Sequence, residues 1–246
     1  MIRLSVNVNK VATLRNSRGG DSPSVLDAVR VCTDAGAGGI TVHPRADERH
    51  ITARDVREVA AQIKGERDGG LEYNVEGDPR PDWLHLVREV APDQATLVPV
   101  RPGEITSEAG WSEDTDADAM RAVVADLKQR GIRVSVFVEA RPEAAEWAAH
   151  MGADRIELYT GPFAQAFARG RAEGQAVFER HAVTAERAHA LGLGINAGHD
   201  LDLDNLMLYR ELPHLDEVSI GHALLSRAVF VGLERVVREY LDVLGV

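Results

Sequence analysis

Short β-branched runs alternate with longer segments of helical period from one end of the chain to the other, and this alternation restricts the fold more than any other feature. "RLSVNVN" at 3–9 has the period of a strand. "PSVLDAVRVCTDAG" at 23–36 sets Val25, Leu26, Val29 and Val31 near one face and ends in a glycine, as a helix does. "GGITVH" is the next strand, and "TARDVREVAAQIKG" the next helix, with Thr52 as N-cap and Gly65 at its close. The pattern continues through the strands "LEYNVEG", "QATLVPV", "RVSVFVE", "RIELYTG", "LGINAGH" and "LDEVSIGH". Helical segments separate them, and the last, "SRAVFVGLERVVREYLDVLG", closes the series. Eight strands therefore begin near residues 3, 39, 71, 95, 133, 155, 193 and 216.

Eight parallel strands, each followed by a helix, close a TIM (β/α)8 barrel, for which about 250 residues is the usual length. Residues 1–246 read as one such α/β domain, with no linker, charge block or low-complexity run to divide them. An open doubly wound sheet is the alternative, but no G-x-G-x-x-G follows the first strand and no P-loop occurs. One connection, "VRPGEITSEAGWSEDTDA" at 100–117, is long for a βα loop and is a candidate lid.

A formal net charge of -11 argues against a nucleic-acid or anionic-membrane binder, since both need a basic face. A local basic pocket for small phosphorylated ligands remains compatible with it. The single cysteine, Cys32, sits in a helical segment, which excludes an intrachain disulfide framework and suits a reducing cytoplasm. Neither a signal-peptide apolar region nor a membrane-length uncharged run is present. No H-x-x-x-H or H-E-x-x-H occurs, so no metal is expected.

In a barrel of this kind, chemistry belongs to the carboxyl ends of the strands and the loops after them. Those positions hold Asn7 and Asn9, His43 and Arg45, Glu72 and Asn74, Arg101 and Thr106, Glu139, Glu157, Asn196 and His199, and Gly221 and His222. His43, His50, His199 and His222 would converge on one rim, whereas the other histidines fall in helices or at element boundaries. Glu72 and Glu157 lie in apolar strands, where burial would raise a carboxylate toward the range of a general base. An ion pair with an arginine is the structural alternative for both. "INAGHD" and "VSIGHALLSRA" end strands seven and eight with a glycine just before a helix, which aims free N–H groups at the rim, as in phosphate sites. "RADERH" with Thr106 would make a second anion site, charged by Arg45 and His50.

The stretches "VNVNKVATLRNSRGG", "GITVHPRADERHI", "LEYNVEG", "EITSEAGW", "RIELYTG", "INAGHDL" and "EVSIGHALLSRAVFVGL" together resemble the pyridoxine 5′-phosphate synthase family, in order along nearly the whole chain. The resemblance implies a TIM barrel assembled as a homo-oligomer, an octamer among its known forms. It also implies condensation of 1-deoxy-D-xylulose 5-phosphate with 3-amino-2-oxopropyl phosphate to pyridoxine 5′-phosphate, phosphate and water, without metal or organic cofactor. Carried over by motif, His43 and Glu72 would accept protons, His199 would donate one, and Glu157 would stabilise a transition state. Arg45, His50 and Thr106 would hold the deoxyxylulose phosphate. Asn7, Arg18, Asp200, Gly221 and His222 would hold the aminoketone phosphate, Asp200 and Gly221 through backbone groups. The best-known members carry Asp-His where this chain has Asn9-Lys10, a substrate contact altered in charge; Lys10 would either neutralise a phosphate or extend into solvent. Two other readings compete: a phosphosugar aldolase or epimerase, which needs a late-strand lysine or a metal cluster, and a catalytically silent sensor of a phosphorylated metabolite.

Overall fold

The computed structural model of the chain describes residues 1–67, 69–101, 103–104, 106–111 and 115–246, with 66 and 67 as backbone only. Its strands are β1 (Arg3–Asn7), β2 (Gly39–Val42), β3 (Glu72–Gly77), β4 (Gln94–Leu97), β5 (Arg133–Val138), β6 (Arg155–Tyr159), β7 (Gly194–Gly198) and β8 (Leu215–Ile220). They pair in parallel in sequence order, and β1 closes on β8 with Arg3 opposite Glu217 and Val6 opposite Ile220. The helices around them are α1 (Asn9–Asn16), α2 (Val25–Asp34), α3 (Ala53–Gln62), α4 (Lys64–Arg67), α5 (Pro81–Val90), α6 (Ala117–Gln129), α7 (Pro142–Met151), α8 (Gly161–Arg169), α9 (Arg171–Ala190), α10 (Leu203–Tyr209), α11 (His222–Val231) and α12 (Leu233–Leu244). The expected (β/α)8 barrel is what forms, and every strand begins within a residue of its expected place.

The two faces of each strand explain the closure. Leu4, Val6, Ile40, Val42, Tyr73, Val75, Val134, Val136, Ile156, Leu158, Ile195, Ala197 and Val218 point outward and are buried in the main apolar core, between sheet and helices. Alternate residues face the barrel axis, and most of them are polar. Ser5 Oγ lies 2.7 Å from Thr41 Oγ1, Thr96 donates to Asn74 Oδ1 at 3.0 Å, and Asn196 donates to Gln94 Oε1 at 3.4 Å. Barrels of this class are more often filled by aliphatic layers. Here a hydrogen-bonded stack occupies the axis, which satisfies many of these buried groups, though Gln94 Nε2 and Ser135 Oγ find no partner, and charged groups stand at both ends of it.

Three local features depart from the expected outline. Helix α1 starts directly after β1; it buries only Val11 and Ala12, so its apolar period is weak in the sequence. Two helices, α8 and then α9 from Arg171, stand between β6 and β7, where one helix per strand is the rule of the fold. The last helix is two, because Gly232 takes φ 93 between α11 and α12, a left-handed conformation that suits glycine. Of the candidate lid, 102, 105 and 112–114 lie outside the described residues. Within the described residues, no helix is long and apolar enough to cross a membrane.

Candidate active site

The carboxyl ends of the strands surround a cavity of about 490 Å³. Asn7, Asn9, Lys10, His43, Arg45, His50, Thr106, Glu157, His199, Asp200, Gly221 and His222 all line it, as the sequence led one to expect. A cleft of similar size, about 500 Å³, opens at the opposite face beside Asp93, Lys128 and Asp154. There Lys128 is paired with Asp154 at 2.7 Å, and the strand-end chemistry is at the other end of the barrel.

His43 follows β2, and its backbone is fixed from β1's side: its N–H donates to Asn9 Oδ1 at 2.9 Å, while Asn9 N–H donates to Asn7 Oδ1 at 3.1 Å. Asn9 is thus engaged in holding His43 in place. Burial, reinforced by the Arg45 charge, pushes the His43 pKa down to about 3. The ring is therefore neutral at ordinary pH, as a proton acceptor must be. His50 is likewise pushed down to about 3, by burial first and then by the charges of His43, Lys10 and Arg45. Its Nδ1 accepts the Ile51 N–H at 2.9 Å, so the neutral ring carries its hydrogen on Nε2 and offers a donor. The segment is held by α1, whose Asn16 donates to the His50 carbonyl at 2.9 Å and whose Arg15 pairs with Asp55 of α3. Thr52 and Asp55 form the capping box that starts α3.

Arg45 is buried and has no ion pair among the described residues, leaving a positive charge at the cavity wall. Arg49, by contrast, pairs with Asp47 and donates to the Glu104 carbonyl at 2.9 Å. It ties the β2 loop to the long loop after β4. From that loop Thr106 Oγ1 reaches His199 Nε2 at 2.8 Å, and His199 Nδ1 lies 3.0 Å from Asp200 Oδ2. His199 and Asp200 adopt φ 89 and 58, a left-handed pair that non-glycine residues seldom take. The turn is held by Thr160, which donates to the Gly198 carbonyl at 2.7 Å and also to that of His199. The edge of Tyr159 meets the His199 ring at 5.1 Å. The hydrogen bond from His199 holds the Asp200 carboxyl below its ordinary range, and Asn205 donates to the Asp200 carbonyl at 3.1 Å.

Two carboxylates stand at the floor. Glu157 is buried, and burial together with its neighbour Glu76 raises its pKa well above the ordinary range. Gly198 leaves room for it: a Cβ there would press on Glu157 Oε1 and shift the carboxyl. Glu76 is pushed up to about 7 by burial, opposed by the charge of His199 and a hydrogen bond from Ser219. On the far wall α11 begins at His222 with no side-chain cap, so its first N–H groups have no partner within the helix.

Two expected members are not in this assembly. Glu72 opens β3 instead of closing it, and so lies at the opposite end of the axis; it pairs with Arg3 and, at 2.6 Å, with Arg133. The parity was right, since residues 72, 74 and 76 share one face, but the layer was wrong: Glu76 occupies the rim. The signal was available in "NVEG", where the glutamate precedes the glycine that ends the strand. Arg18, in the turn after α1, is exposed and outside the cavity wall. Of the wider list, Asn74 and Asn196 belong to the stack on the axis, Arg101 is exposed, and Glu139 accepts the Gly110 N–H at 3.2 Å. Thr13, Ser107, Phe137 and Ser219 also line the cavity, and none had been expected there.

Comparison with known proteins gives one answer. The family model described as pyridoxal phosphate biosynthesis protein PdxJ matches residues 4–245. The pyridoxine 5′-phosphate synthase of Leptospira biflexa is 48% identical over 254 residues, covering 100% of this chain and 98% of its own. That of Bacteroides thetaiotaomicron is 49% identical over 245 residues, covering 99% and 100%. Among solved structures, the Amycolatopsis orientalis BexX/CysO complex is similar with TM-score 0.63 and 13% identity, over 99% of this chain and 88% of that one. Phosphoribosylanthranilate isomerase from Thermotoga maritima has TM-score 0.57 and 12% identity, over 100% and 99%. At those identities the structural likeness speaks for the barrel alone.

Proposed function

The chain belongs to the PdxJ family of pyridoxine 5′-phosphate synthases, and from that premise we propose how its rim residues divide the family's reaction among them. The reaction joins 1-deoxy-D-xylulose 5-phosphate to 3-amino-2-oxopropyl phosphate and closes the pyridine ring, releasing phosphate and water. Amine addition to a ketone, loss of phosphate, loss of water and ring closure each move a proton, so a single acid and a single base would not suffice.

The observation that carries the assignment is a neutral, buried His43 in one cavity with a buried Arg45 that has no ion pair among the described residues. His43 is the proton acceptor. Arg45, the Nε2–H of His50 and the Thr106 hydroxyl hold the deoxyxylulose phosphate and stabilise it as it departs. His199, fixed between Thr106 and Asp200, is the proton donor. Glu157 stabilises a transition state. Asn7, the backbone N–H of Asp200 and the Gly221-His222 start of α11 receive the aminoketone phosphate, as helix N-termini receive anions. Lys10, exposed at the mouth, adds positive charge toward both dianions. The test is to mix the purified protein with both phosphorylated substrates and follow pyridoxine 5′-phosphate by mass and absorbance. A folded protein that binds both phosphates yet forms no product would move the reading to a phosphometabolite sensor.

Glu72 is assigned to the barrel's foundation. Glu72→Gln is expected to cost stability, about 1–3 kcal/mol since a buried acceptor of two arginines is weakened, and to leave kcat of the folded enzyme unchanged. Urea denaturation and steady-state kinetics on the same preparation check this; a collapse of kcat without loss of stability would return Glu72 to the chemistry.

The protein is further proposed to work in the cytoplasm as a homo-oligomer, an octamer by resemblance. Val229 and Phe230 near the end of α11 are 74% and 87% exposed, and α1, which packs against α11, exposes Leu14. Exposed apolar side chains of this kind suit a second copy of the chain. Phe230→Glu is expected to lower the mass measured by light scattering; an unchanged mass would place the interface elsewhere.

A further inference from the structure

Glu76 precedes Gly77 at the end of β3, and its side chain reaches toward the proposed proton acceptor. Its Oε2 lies 3.5 Å from His43 Nδ1 and 3.5 Å from Asn7 Nδ2, with Ser219 of β8 as a further hydrogen-bonding neighbour. The other ring nitrogen, His43 Nε2, is buried and meets no protein partner. The two nitrogens are therefore unlike: one faces a carboxylate, and the other is buried without a protein partner in a residue of the cavity wall.

We propose that Glu76 is the positioning residue of the proton acceptor, holding the hydrogen of His43 on Nδ1 so that the lone pair stands on Nε2. The proposal rests on the reading of His43 as that acceptor. In the step it serves, Nε2 takes a proton from the substrate and the electron pair of the broken bond stays on the substrate. The ring becomes an imidazolium, and Glu76 remains a carboxylate facing it. The surroundings favour such a partner, because Arg45, Arg80 and Arg49 all oppose a positive charge on His43 and Asp78 offsets them in part. A carboxylate at the ring itself offsets the three arginines at the moment the charge forms.

The same geometry makes the device sensitive to pH. Ionised, Glu76 accepts the Nδ1–H; protonated, it donates to Nδ1, and the ring hydrogen moves to Nε2, which can then only donate. The groups facing it are Asn7 of β1, His43 after β2, Glu157 of β6, His199 after β7 and Ser219 of β8; the cavity wall after β4 and on β5 adds the uncharged Val98 and Phe137. With Glu76 pushed up to about 7, the exchange falls near neutrality.

The experiment uses ¹⁵N-histidine spectra of the full-length protein across pH, with His43→Ala to assign the resonance, beside kcat and KM profiles. In the wild type the His43 hydrogen is expected to pass from Nε2 to Nδ1 as pH rises through about 7. Glu76→Gln is expected to abolish that exchange, flatten the acid limb of kcat, and lower kcat about tenfold or more with KM little changed. Glu76→Asp restores part of both, and adding Glu76→Gln to His43→Ala costs nothing further. A wild-type tautomer indifferent to pH, or a Glu76→Gln enzyme that keeps its rate and acid limb, overturns the proposal. If the tautomer follows Glu76 but no product forms, the failure belongs to the functional reading instead.

Discussion

Replacing His43 by alanine is expected to lower kcat by about a hundredfold to ten-thousandfold, the range in which general bases contribute. KM for either phosphate should move little, because the anions are held by Arg45, His50, Thr106 and the start of α11. The variant should fold: what fixes the loop after β2 is the backbone N–H of residue 43 on Asn9 Oδ1, which alanine keeps. Stability should respond to pH in a direction that identifies the ring. The folded protein holds His43 neutral down to about 3, whereas the unfolded chain protonates it below its ordinary value of 6.5. Between those limits the unfolded state binds more protons, so the wild type loses stability on acidification from 6.5 toward 3. His43→Ala removes that loss. Thermal melts at pH 5 and pH 8 should therefore show a smaller acid-side drop for the variant, while its turnover is nearly gone at both. Retention of turnover within an order of magnitude would mean that another group takes the proton.

The barrel could be read from the sequence because it rests on signals that survive without coordinates. Leu4 and Val6, or Ile156 and Leu158, alternate strictly with polar neighbours, and each strand is followed by a helix. The histidines and Arg45 could be read for a related reason: each lies beyond the end of an apolar strand, so its place on the rim does not depend on where the strand is cut. Glu72 and Glu76 were different. They share a face, and nothing in the period of two says which of them stands at the rim; only pairing with β2 and β4, which sets Glu72 opposite Gly39 and Glu76 opposite Thr96, decides it. Contacts between distant loops were equally out of reach. The bond from Thr106 to His199 spans 93 residues, and the Asn9 clamp on His43 spans 34. Each depends on how the closed barrel brings its loops together.

Glu157→Gln should lose activity and gain stability in the same protein. Glu157 sits on the axis beside Glu76 and has no ion pair of its own among the described residues, so burial and its neighbour keep it protonated well above the ordinary carboxylate range. The unfolded chain ionises it at about its ordinary value of 4.5. Above that pH the folded state binds more protons than the unfolded one, and stability contributed by the neutral acid is lost as pH rises toward the folded value. Glutamine cannot ionise, so it removes this cost while keeping nearly the same shape over Gly198. The melting temperature of the variant should exceed that of the wild type by an amount that widens from pH 5 to pH 8, at about 2–4 °C for each kcal/mol recovered. Turnover should fall about a hundredfold, since an amide neither shifts its proton nor takes on charge as the transition state develops. A gain in one property against a loss in the other marks a group retained for chemistry at the expense of the fold. Were the variant to lose stability instead, Glu157 would be a structural member of the hydrogen-bonded stack, and the electrostatic work at the floor of the cavity would fall to Glu76.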